Sequence, residues 1–183
     1  SVMALGAGAD AASGVCTTIA WSDAQGTARA LEGNILSSGS TLAWLAKVLD
    51  MDVDALAAIA GPTSDALHLV PAFNGLGAPW WDDHAVGVIA GLTLGTDRAA
   101  LASAALDAVA MQVSDVVDAM RSVGVVVDDL RADGGATRNG DLMQRQADFA
   151  GTRISVASVA EPPTSLAAPS ACGRAPTSRL AVL

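Results

Sequence analysis

Apolar and polar positions along the chain change period several times, and each change predicts an element. Val15-Cys16-Thr17-Thr18-Ile19-Ala20-Trp21 is a β-branched run, Ser22 to Gly26 is a turn cluster, and residues 27–33 follow as a paired strand. The pattern is that of a hairpin, with residues 2–5 as a neighbouring strand. In Ser38-Gly39-Ser40, Ser40 is the better N-cap for a helix. Leu42, Leu45, Val48 and Leu49 then recur at helical spacing, with Trp44 near that face, to about residue 49. A short second helix over residues 53–60 is stopped by Gly61-Pro62.

Further along, Leu67-His68-Leu69-Val70-Pro71 reads as a short strand entering a loop, Ala72-Phe73-Asn74-Gly75-Leu76-Gly77-Ala78-Pro79-Trp80-Trp81-Asp82-Asp83. Glycines, prolines and adjacent tryptophans make this the most unusual segment, and loops carry function more often than cores do. Residues 86–92 fit another strand. Asp97 or Thr96 caps a long helix to about residue 123, with Leu106, Val109, Val113, Val116 and Met120 on one side and Asp107, Ser114 and Asp118 on another. A strand over residues 129–133 runs into Gly134-Gly135, a helix starts near Asn139 or Gly140 and stops at Gly151, and residues 153–159 return as a strand. There is no internal repeat. After Glu161 the prolines 162, 163, 169 and 176 erase both periodicities, so a poorly ordered tail is expected.

Alternating strands and helices in 183 residues predict one α/β domain with enough chain to bury a core. Hydrophobic residues are 51% of the chain but aromatics only 3%, so the core is expected to consist mainly of Ala, Val and Leu. Net charge is -9, which argues against nucleic-acid or anionic-membrane partners. The carboxylates are Asp apart from Glu32 and Glu161, and Lys47 is the sole Lys; this bias carries no functional reading. With two cysteines far apart and two histidines, a Cys/His metal site is not expected, and a reducing, cytoplasmic setting is. Asp107, Ser114, Asp115 and Asp118 interrupt the most apolar stretch, so no transmembrane helix is expected, and the first residues have no basic secretory n-region.

The sharpest chemical signal is Asp133-Gly134-Gly135-Ala136-Thr137-Arg138-Asn139 between strand and helix. Two glycines let a flat base or a phosphate approach the backbone, the helix N-terminus offers N–H groups, and Asn139 can hydrogen-bond a purine edge or ribose. An ordinary tight strand-to-helix turn accounts for the same residues. The segment is neither a Walker A loop nor a dinucleotide fingerprint.

Asp133-Gly134-Gly135-Ala136-x-x-Asn139 with Met143-Gln144 resembles the adenosine motif of the FGGY carbohydrate kinases. Pro71-Ala72-Phe73-Asn74-Gly75-Leu76-Gly77-Ala78-Pro79-Trp80-Trp81-Asp82 resembles a loop of their glycerol-kinase subgroup, a modest lean because kinases of other polyols share the Gly-Leu-Gly-Ala-Pro form. Gly87 to Asp107 is similar to the family's second signature, with Ala100 where a polar residue is usual. Ala30-Leu31-Glu32-Gly33, Ser38-Gly39 and Trp44 match too.

The resemblance implies an actin-like, ribonuclease-H-like ATPase domain, a mixed sheet with flanking helices, over residues 1–161, followed by a divergent tail at 162–183. It implies the nucleotide-binding half of an ATP- and Mg²⁺-dependent kinase, acting on a sugar or polyol together with an N-terminal domain. Carried over by motif, Gly39, Gly134, Gly135 and Asn139 line the adenine and ribose pocket; Ala43 stands where close relatives place a Gln. Trp80, Trp81 and Asp82 shape a loop near the interdomain cleft, with hydrophobic packing of the tryptophans the favoured alternative.

The family's catalytic Asp and its Gly-Thr-Gly phosphate turn fall upstream of Ser1, so no catalytic residue is assigned. Gly6-Ala7-Gly8 is not that turn and Asp10 is not that base. Where the family continues with an Ala-rich helix, Glu161 is followed by Pro162-Pro163; a reading-frame change is one account, and an Ala-rich continuation in another frame of the gene would support it. The rival to a kinase half is a non-catalytic relic or an ATP-sensing module, and a third reading is oligomerisation by pairing of the 97–123 helix.

Overall fold

The computed structural model describes residues 1–5, 14–63, 66–156 and 180–182. Strands β1 (Val2–Leu5), β2 (Cys16–Asp23) and β3 (Gly26–Gly33) form an antiparallel meander. The β2–β3 turn is tight because the Asp23 carboxylate accepts from the backbone N–H of Gln25 and Gly26 at 2.8 and 3.1 Å. Helices α1 (Gly39–Val48) and α2 (Val53–Ala58) lead to the ribbon β4 (His68–Val70) and β5 (Val88–Ala90), which pair with each other. Helix α3 (Arg98–Ser122), strand β6 (Asp129–Ala132), a 3-10 turn (Gly135–Arg138), helix α4 (Gly140–Ala150) and strand β7 (Arg153–Val156) complete the run.

Strand β8 (Leu180–Val182) lies at the end of the tail, where no strand periodicity is legible. The main sheet has the order β2-β3-β1-β8-β6-β7, so β8 fills the centre, antiparallel to β1 and parallel to β6. Three residues are too few for a periodicity signal, whereas the facing backbones of β1 and β6 both need a hydrogen-bonding partner. Of the expected strand over 153–159, residues 157–159 lie outside the described residues, as do Gly6-Ala7-Gly8, Asp10 and residues 162–179.

Helix α3 is the spine. Its first half, from Ala102 to Ala110, packs with Leu42, Leu45 and Ala46 of α1, Leu56 of α2, Leu69 of β4 and Leu142 and Met143 of α4. Its second half, Val113, Val116, Val117 and Met120, packs on Val2, Ala4, Leu31 and Leu130 of the sheet. The approach is close: a Cβ at Gly33 would overlap Val116. Asp97 caps α3 by accepting from the Ala100 N–H at 2.9 Å. The helix is long and apolar enough to cross a bilayer, yet 67% of its most apolar stretch is buried inside the domain.

Asp107, expected on a polar side, is buried instead. It ion-pairs with buried Arg145 of α4, whose Nε also donates to Asp141 at 3.0 Å. The same guanidinium donates to the Gly61 carbonyl and to Thr63 Oγ1, and the Thr63 hydroxyl donates to Asp107 at 3.1 Å. This ties α3, α4 and the α2–β4 connection together. Removing one partner of a buried pair leaves the other charge uncompensated, so Arg145→Met is expected to cost about 3–5 kcal/mol in urea unfolding. Adding Asp107→Leu should recover at least half of the loss; no recovery would mean that the charge pair is not what holds the junction.

Candidate nucleotide site

Two elements carry the five residues singled out for adenosine. Gly134, Gly135 and Asn139 form one turn between β6 and α4. Gly134 has φ +94°, a conformation that excludes side chains, and Asp133 Oδ1 accepts its N–H at 2.6 Å. The Thr137 hydroxyl donates to the Gly134 carbonyl at 2.7 Å and fixes the 3-10 turn that periodicity alone had missed. Asn139 is the N-cap of α4, its Oδ1 accepting from the Leu142 N–H at 3.0 Å. Its carbonyl oxygen is therefore committed, and the Nδ2 amide is what it can offer a ligand.

Gly39 and Ala43 lie on α1, both exposed. The helix starts at Gly39 with Ser38 as N-cap, so Ser40 belongs to the first turn rather than capping it. Ser38 makes no side-chain capping bond and the first turn holds no acidic residue, which leaves this N-terminus electropositive. At α4 the reverse holds, because Asp141 sits in the first turn. The two helix starts therefore differ in local charge.

A Cβ added at Gly39 or Gly134 would meet nothing within 4 Å, and one at Gly135 only Arg138 Nη2 at 3.7 Å. The three glycines thus present bare backbone to open space. The two groups are joined through one core cluster that includes Leu42 of α1, Ala132 of β6 and Leu142 and Met143 of α4.

Residues 2–166 match the FGGY family of carbohydrate kinases, C-terminal domain. The chain belongs to the FGGY family. It is 47% identical over 144 residues to a glycerol kinase of Rhodopirellula baltica, covering 75% of this chain and 26% of that one. A glycerol kinase of Halorhodospira halophila is 47% identical over 148 residues, with 78% and 29% covered. Among solved structures, Plasmodium falciparum glycerol kinase with ADP superposes with a TM-score of 0.74 at 34% identity, covering 81% of this chain and 31% of that one. Xylulose kinase from Rhodospirillum rubrum gives 0.69 at 27% identity, with 84% and 32% covered. The FGGY chain described here spans less than a third of the length of these relatives. The expected mixed α/β, actin-like ATPase domain is the fold observed.

The FGGY loop with the paired tryptophans is rigidly placed. Ala78 donates its N–H to the Asn34 carbonyl at 2.9 Å, and Leu76 and Asp82 exchange backbone bonds at 2.7 and 3.1 Å. The Asp82 carboxylate accepts from the N–H groups of His84 and Ala85 at 2.9 and 3.1 Å. Packing in the core, the favoured alternative for the tryptophans, is not what occurs: Trp80 and Trp81 are 63% and 48% exposed. Trp81 Nε1 donates to the Gly14 carbonyl at 2.6 Å, and Trp80 hydrogen-bonds Asp115 of α3.

Partial burial raises the Asp115 carboxyl above its ordinary value, the Trp80 bond lowers it and the charge of Asp118 raises it. A carboxyl raised in the folded state contributes most below its unfolded pKa and loses that contribution as pH rises through the folded one. Asp115→Asn keeps an acceptor for Trp80, so it should raise Tm by a few degrees at pH 7, and the gain should disappear below the ordinary carboxylate range. A gain that persists in acid would contradict this assignment.

Proposed function

We propose that this chain is the nucleotide-binding half of an ATP-dependent sugar or polyol kinase, glycerol-kinase-like in its loop, and that it holds adenosine between the N-terminal end of α1 and the β6–α4 turn. The observation that carries the reading is the coincidence of open backbone at Gly39, Gly134 and Gly135 with the uncapped, acid-free start of α1. Similarity to an ADP-bound glycerol kinase supports it. Gly39, Gly134 and Gly135 admit the flat base and the ribose, and Asn139 Nδ2 donates to base or ribose. Ala43 has no polar atom, so this chain holds the nucleotide with one side-chain contact fewer than relatives with Gln there.

Among the described residues no group of three or more His, Cys, Asp or Glu can hold a metal ion. The protein residues described thus supply no cage for Mg²⁺, and in a net -9 chain a metal that accompanies ATP neutralises its phosphates instead. What the chain's own residues do is bind and orient the nucleotide. The base that accepts the substrate hydroxyl proton and the alcohol site belong to other segments of a whole kinase. A cytoplasmic setting goes with this reading.

Isothermal titration with ATP and ADP tests the pocket. Weak binding is expected, lost at least tenfold in Gly39→Val and in Asn139→Asp, which keeps the helix-capping oxygen but replaces the donor with a negative charge. Ala43→Gln should tighten binding several-fold. Nucleotide binding that all three variants leave unchanged would overturn the reading, as would phosphorylation of glycerol or a sugar by the isolated chain. Absence of any binding would favour a non-catalytic relic.

A further inference from the structure

Arg138 is the last residue of the 3-10 turn between β6 and α4, and it immediately precedes Asn139. In a 3-10 turn the side chains of residues three apart eclipse one another, so Arg138 stands over Gly135. Gly135 has no side chain to oppose it, and the arginine folds back along the turn. Its Nη2 lies 3.7 Å from the point where a Cβ on Gly135 would stand.

The guanidinium is exposed and uncommitted. Arg121, Arg145 and Arg153 each meet an aspartate, whereas among the described residues Arg138 makes no ion pair and no side-chain hydrogen bond. The two carboxylates nearest to it in sequence are engaged elsewhere. Asp133 Oδ1 accepts the Gly134 N–H at 2.6 Å, and Asp141 Oδ2 accepts Arg145 Nε at 3.0 Å. In a chain of net charge -9, a cation held at a glycine turn with no carboxylate on it is available to a ligand.

We propose that Arg138 clamps the nucleotide, its guanidinium stacking on the face of the purine that Gly134 and Gly135 admit. The proposal rests on the reading of the β6–α4 turn as the adenosine site and adds to it a charged side chain that reads the base. A guanidinium is planar, delocalised and weakly hydrated, so it gains by lying flat on an aromatic face. The glycine turn lets the ring come close enough, and the eclipsed geometry places the arginine beforehand, which lowers the ordering cost of binding. A phosphate is the poorer partner here, because Asp141 stands in the first turn of α4, three residues on.

Isothermal titration of the full chain with adenosine and with ADP tests this. Arg138→Ala is expected to weaken both by the same factor, about three- to tenfold. Arg138→Lys keeps the charge and loses the plane, so it should leave most of that loss in place. The factor for adenosine should hold between about 0.05 and 0.5 M salt, over which a phosphate contact fades. The side chain is exposed and unpaired, so the ligand-free Tm should be the same in the wild type and both variants. A loss confined to ADP, or one that Arg138→Lys restores in full, would put the guanidinium on a phosphate and overturn the proposal. Adenosine binding that Gly39→Val and Asn139→Asp remove but Arg138→Ala leaves intact would overturn the clamp and keep the site. A wild type that binds neither adenosine nor ADP would overturn both.

Discussion

Burial of α3 along nearly its whole length is the constraint on which the rest of this domain depends. Its first half is clad by helices and its second half by the sheet, so the two core clusters meet on one rod. Alanines at 102, 104, 105, 108 and 110 keep the first half thin enough for α1, α2 and α4 to close around it. The one charged side chain on that buried stretch, Asp107, is tolerated because Arg145 neutralises it and Thr63 completes its bonding. The low aromatic content noted in the sequence is therefore a packing requirement of the core.

The order of strands and helices could be read from periodicity because each element has one buried face. The long helix is the clearest case, and all five residues expected on its apolar side are buried. The strand-to-helix turn at Gly134-Gly135 and the cap at Asn139 could be read because glycine and asparagine at those positions have few other uses. Three features could not be read, for different reasons. Arg145 carries no local signal, because its partners lie on other elements, up to 84 residues away in sequence. Leu180–Val182 is too short for any periodic test, and its place in the sheet is set by the strands on either side. The tryptophans look like core material by composition, but Gly14 and Asp115 hold their polar N–H groups at the surface.

The proposed site assigns this chain one share of what a whole FGGY kinase does. In the proposed site the α1 and β6–α4 ends offer mostly backbone, with Asn139 as the polar side chain, and backbone donors suit a chain whose net charge repels phosphate. In the proposed reading the proton acceptor for a substrate alcohol comes from other segments of a whole kinase.

In the proposed site one nucleotide bridges two elements held on a shared core. Hydrogen exchange of backbone amides with and without saturating ADP tests it most directly. Simultaneous protection is expected at the start of α1, around Gly39 to Ala43, and in the β6–α4 turn, around Gly134 to Asn139. Protection of only one of them, or of amides elsewhere with both unchanged, would contradict it.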